Sequence, residues 1–167
     1  DSVTVVKVAE GSALTIVLSN ESHTVPASSA GVVSSYAGSG TTIQVWDGIT
    51  ALSAGSGISG PGQFTVGTLT VTPTGKITVG GRSYSGTIAT VADHSAMDAA
   101  TDTVTIGYAI IIKRKNGTDV TITKTQTVTK SKTGVQGPAG ADNQDFVFLV
   151  AAEAAMAGLP AGLYMTE

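Results

Sequence analysis

The side chains able to do chemistry are few and scattered. The chain has two histidines, His23 in Glu21-Ser22-His23-Thr24 and His94 in Asp93-His94-Ser95. With Asp93, Ser95 and Asp98 they can be drawn as a hydrolytic or metal-binding constellation. Neither histidine has the spacing of paired metal ligands, for no H-x-H or H-x-x-x-H occurs. Asp and His beside Ser are ordinary turn formers, because short polar side chains bond to nearby backbone. Loop hydrogen bonding is their expected role. Asp93, Asp98 and Asp102 offer oxygens of the kind calcium takes, but their spacing matches no calcium-loop pattern. Asp142, Asp145 and Glu153 read as solubilising charges. Gly55-Ser56-Gly57 and Gly60-Pro61-Gly62 lack the lysine and hydroxyl residue of a phosphate loop, so they read as turns. The sequence therefore leads us to expect no catalytic residue, no metal and no cofactor.

The aromatic residues offer a second kind of site. The only tryptophan, Trp46, lies in Gln44-Val45-Trp46-Asp47-Gly48. Alternation puts it opposite Ile43 and Val45. There it is either a half-exposed ring that stacks on a sugar or a ring packed under a crossing loop. Tyr36 and Tyr84 carry the same two readings, so Trp46, Tyr36 and Tyr84 are the candidate glycan contacts.

These residues need elements to hold them, and composition says which kind. Hydrophobic residues make up 41 % of the 167 positions but aromatics only 5 %. A core must then come from Val, Ile, Leu and Thr methyls, which pack best on pleated strands. Charged residues are 13 % and the net charge is −3, too weak a field to attract nucleic acid or an anionic membrane surface. The longest apolar stretch, Phe146 to Ala152, falls far short of the ~20 residues that span a bilayer, so no membrane insertion is expected. The chain has no cysteine, which excludes a disulfide framework and a thiolate metal site and leaves an extracellular location open. It starts at Asp1 without a signal peptide, so it reads as processed or as part of a longer polypeptide.

Period-two alternation is strictest in Thr103–Lys113, where Val104, Ile106, Tyr108, Ile110 and Ile112 share one face. Asn116-Gly117 follows, a pair that tolerates positive φ at both central turn positions. Beyond it, Val120, Ile122, Lys124, Gln126, Val128 and Lys130 resume the alternation. Residues 102–131 are predicted to form one long hairpin. Shorter strands are predicted at Ala13–Leu18, Thr41–Trp46, Phe64–Thr72, Lys76–Val79 and Thr87–Val91. Phe64, Val66, Leu69 and Val71 alternate less cleanly than the rest. Asn20–Gly40 is polar and contains Pro26; it is either a surface excursion or an edge ribbon. Many short strands punctuated by Gly and Ser indicate an all-β fold, an antiparallel β-sandwich.

The hairpin runs directly into three Gly-x-y triplets, Gly134-Val135-Gln136, Gly137-Pro138-Ala139 and Gly140-Ala141-Asp142. A glycine at every third position is what three chains need where they cross at a crowded axis. Three triplets are also what a plain Gly/Pro linker would look like. The expected organisation is a β-sandwich over 1–133, a collagen-like neck or linker over 134–142 and a C-terminal segment over 143–167. That last segment begins β-like at Phe146 and turns to helix-forming Ala151-Ala152-Glu153-Ala154-Ala155-Met156. A helix, a strand exchanged between chains, and the start of a next domain all remain open for it.

Four phrases carry a resemblance. Ser19–Ala27, Ser35–Gly48, Thr87–Met97 and Lys124–Gly134 resemble immunoglobulin-like modules of tailed-bacteriophage tail fibre and tail tip proteins. In those, the last strand is commonly followed by a Gly-rich collagen-like connector. The similarity spans about residues 10–142. It implies an immunoglobulin-like sandwich that acts as a structural spacer in the virion. Its partners would be two further copies in a homotrimer, other tail or fibre proteins, and a host-cell surface glycan or receptor at the distal end. It implies no catalytic residues. A carbohydrate-binding or adhesion module of a bacterial or viral surface protein is the alternative.

Overall fold

The computed structural model describes residues 13–135 and Gly137. The chain divides into a compact unit, Asp1–Gly134, and a second, Val135–Glu167. The described part of the first unit holds ten strands and no helix. They are β1 (Leu14–Leu18), β2 (Ser22–Ala27), β3 (Thr41–Asp47), β4 (Thr50–Ala51), β5 (Ser53–Ala54), β6 (Gln63–Thr72), β7 (Arg82–Ser85), β8 (Ile88–Val91), β9 (Thr103–Lys113) and β10 (Asp119–Lys132). The Gly-x-y run beyond Val135, Gly137 apart, and the segment 143–167 lie outside the described residues.

Two sheets form a sandwich. The first has the order β1-β3-β8-β7, with β4 added beside β3; the second has the order β2-β10-β9-β6-β5. Between β1 and β2 the chain crosses from one sheet to the other. Most pairings are antiparallel, as expected, but β2–β10 and β5–β6 run parallel. The inward faces make one core, with Ile43, Val45 and Val91 from the first sheet meeting Phe64, Ile106, Ile110, Ile112 and Val128 from the second. Each fully buried side chain of this kind contributes roughly 1.5–3 kcal/mol.

The long hairpin forms as the alternation requires. Val104, Ile106, Tyr108, Ile110 and Ile112 are all 0 % exposed, and β9 pairs with β10 from Lys113↔Asp119 to Thr103↔Thr129. Its turn differs from the expected one. Gly117 N–H donates to Arg114 C=O (2.9 Å) and only Gly117, at φ +85°, adopts the left-handed region; Asn116 does not. Asn116 instead accepts Thr118 N–H on its side-chain oxygen (3.0 Å). A type I turn closed by a left-handed glycine suits this longer loop better than a two-residue mirror-image turn.

The uneven alternation of β6 has a physical source. Its register against β9 shifts between Val66 and Leu69, a β-bulge. The extra residue lets Val66 and Leu69, three apart, both point inward. The carbonyls freed at Val66 and Gly67 accept bonds from the Arg82 guanidinium, which reaches across from β7.

One expectation needs correction and one open alternative is resolved. Lys76–Val79 is not a strand; it makes a single bridge, Thr78↔Ser95. Within Asn20–Gly40, Ser22–Ala27 is the edge strand β2. It buries only Val25 and Ala27, too little to show as an apolar run. Pro26 is tolerated there because an edge strand has one side free of ladder bonds.

Candidate functional site

His94 follows β8 and is 2 % exposed. Its Nδ1 accepts Gly80 N–H (3.2 Å), which puts the ring proton on Nε2, 3.0 Å from Gln126 Oε1. The same Oε1 accepts the Tyr108 hydroxyl (2.6 Å), and Gln126 Nε2 donates to Ser39 C=O (2.8 Å). Ser39 Oγ in turn accepts His94 N–H (2.9 Å). One buried network thus joins β9, β10 and the loops before β3, before β7 and after β8. Burial lowers the His94 pKa, partly opposed by the Gln126 bond, and raises that of Tyr108. Both His94 ring nitrogens are engaged, so neither has a lone pair free to act as a base.

Asp93 lies just outside this network. Its carboxylate accepts Gly40 N–H (2.8 Å) and Gly38 N–H (3.1 Å), and these two bonds lower its pKa. His23 sits at the same pole, with its Cε1 3.4 Å from where a Cβ on Gly38 would be. The structure therefore brings His23, Asp93 and His94 together, but as a clasp that shapes the loop before β3. Ser95 is drawn away into its bridge with Thr78.

The three aspartates considered for calcium do not converge. Asp93 holds the glycine amides, Asp98 pairs with Lys76 (3.1 Å) and accepts Ala100 N–H, and Asp102 pairs with Lys132 (2.6 Å). Among the described residues no group of three His, Asp or Glu side chains is placed to hold a metal.

The aromatic candidates also fall apart. The Tyr36 hydroxyl accepts Met97 N–H (2.6 Å), and the Tyr84 hydroxyl donates to Val66 C=O at the bulge (3.3 Å). Both rings pack against the core. They brace loops and sheets. Trp46 is half-buried on the outer face of β3, opposite Thr15 of β1 and Ala51 of β4. Of the three it alone keeps its ring on an outer face.

Sequence reasoning missed Gln126, Ser39, Asp47 and Arg114. Asp47 is buried and its Oδ1 accepts from Arg114 Nη2 (2.7 Å), fixing the β9–β10 turn against the end of β3. The signal for Gln126 was present: it is a polar residue at an inward position of an alternating strand. Lys130 is another, and its ammonium donates to the Asp98 and Ala99 carbonyls (2.6 and 3.1 Å). A buried polar group must find partners, so such a position marks a network.

Two shallow grooves lie among the described residues. One, of about 570 Å³, lies where the chain leaves the sandwich, between Pro26–Ser34 and Ser131–Thr133. The other, of about 310 Å³, lies beside Asp93 and Thr41–Thr42. Comparison of the chain with protein-family models, curated proteins and solved structures finds no match.

Proposed function

We propose that this chain is a structural module of a bacteriophage tail fibre or tail tip protein, a spacer that positions host-receptor-binding parts and assembles as a homotrimer. One observation carries this reading: the last strand is anchored up to the residue before the first Gly-x-y triplet. β10 pairs with β2 through Lys132↔Ala27, and Thr133 N–H donates to Ala27 C=O (2.9 Å). Gly134 follows at once. A spacer needs such an exit, because slack there would lose the orientation that it transmits.

The triplet glycines support the same reading. Gly134 and Gly137 have no positive φ, and no described atom lies within 4 Å of where their Cβ would sit. Nothing described in the chain itself requires glycine there, whereas a three-chain axis would.

Strand order supports the immunoglobulin-like part. With β1, β3, β8 and β7 as A, B, E and D, and β6, β9 and β10 as C, F and G, the order is that of an immunoglobulin sandwich. The reading assigns the module no catalysis: its best-organised polar groups are spent on one another. A glycan-binding module is the second reading, and the half-exposed outer face of Trp46 favours it.

Negative-stain electron microscopy of the full chain tests the proposal. Clusters of three sandwich-sized lobes sharing one pole are expected. Single lobes at micromolar concentration would refute it.

A further inference from the structure

The groove at the exit pole has apolar walls: Pro26 and Ala27 from the end of β2, and Val32 and Val33 from the loop that follows. Ser131, Lys132 and Thr133, at and just past the end of β10, close its other side. Val32 is 60 % exposed, more than Val17 (46 %), Ile88 (36 %) or Ile111 (37 %) on the strand faces.

We propose that this groove is the contact between copies of this chain, the sandwich-to-sandwich interface of the trimer. The inference rests on the trimeric reading above and adds where the copies touch. The argument is one of chain reach. Gly134 begins the neck, and a Gly-x-y neck holds three chains at one crowded axis. Ser131 is three residues from Gly134, so in every copy it lies within about 10 Å of that axis at ~3.3–3.6 Å per residue. A sandwich is wider than that, since its two sheets alone stand about 10 Å apart. Three sandwiches leashed so closely must meet at the exit pole, and the groove's own wall is the leash.

Charge permits the meeting. The two lysines at this pole are already engaged: Lys132 with Asp102, and Lys130 with the Asp98 and Ala99 carbonyls. Lys132 meets the next copy as one half of an ion pair, and Lys130 is only 8 % exposed. Threefold contacts are head to tail, so the exposed Val32 of one copy faces a different patch of the next, the wall made by Pro26 and Ala27.

The test is sedimentation equilibrium of the full chain carrying Val32→Asp, beside the unsubstituted chain and Ile49→Asp. Ile49 is fully exposed in the β3–β4 turn, at the opposite end of β3 from the exit pole. Both replacements are on the surface, and far-ultraviolet circular dichroism checks that both variants fold. A trimer that Val32→Asp weakens roughly tenfold or more, by placing a charge in an apolar contact, with Ile49→Asp unchanged, is the expected result. A trimer weakened equally little by both overturns the inference and leaves the trimeric reading standing. An unsubstituted chain that is monomeric overturns both.

Discussion

At the residue scale, Gln126 is the side chain on which most depends. One amide accepts from Tyr108 and His94 and donates to Ser39, all with almost no exposure. Gln126→Ala would leave two buried donors and a carbonyl unpaired, at ~1–3 kcal/mol for each group that finds no water. We expect a loss of roughly 3 kcal/mol in urea unfolding, with the sandwich still formed. His94 adds a pH dependence whose direction follows from its burial. Its folded pKa lies below the ordinary 6.5, so the unfolded chain takes up the proton first. Its stabilising contribution is complete above about pH 6.5 and falls as pH drops from there through the folded value. Asp93 acts in a lower window, since its stabilisation is lost only below the ordinary 3.8. Urea midpoints should therefore decline as pH drops below about 6.5, and His94→Gln should flatten that slope. An unchanged slope in the variant would place the titration elsewhere.

At the scale of elements, what could be read from the sequence depended on how much each strand buries. β9 buries one whole face, so its period of two is unbroken from Val104 to Ile112. β6 betrayed its bulge through the three-residue step from Val66 to Leu69. β2 and β7 are edge strands that each bury little, so their sequences carry no strong apolar pattern. Lys76–Val79 has an apolar, β-branched composition, yet Ile77 is buried from a loop rather than from a ladder. Composition alone cannot distinguish those two ways of hiding an isoleucine. The candidate site was legible in part. His94, Asp93 and His23 were picked out by type, but their grouping depends on loops 55 residues apart in sequence, as in the bond from His94 to Ser39. The hydroxyl bonds of Tyr36 and Tyr84 were invisible for the same reason, because their acceptors and donors lie far along the chain.

At the scale of the molecule, several contacts hold the loops, the hairpin turn and the end of β10 to the two sheets. The buried network locks three loops to the second sheet, the Asp47–Arg114 pair locks the hairpin turn to the first, and β10 is paired through Lys132, two residues before the first Gly-x-y glycine. None of these devices needs a ligand. Their common consequence is that the exit at Thr133 is fixed relative to the rest of the sandwich, which is what the proposed joining of three copies at one point requires. The measurement that bears most directly on this is the solution mass, by light scattering, of the full chain beside a version ending at Gly134. The account predicts a trimer for the full chain and a monomer for the shortened one. Monomers in both would contradict it, leaving the Gly-x-y run as a plain linker.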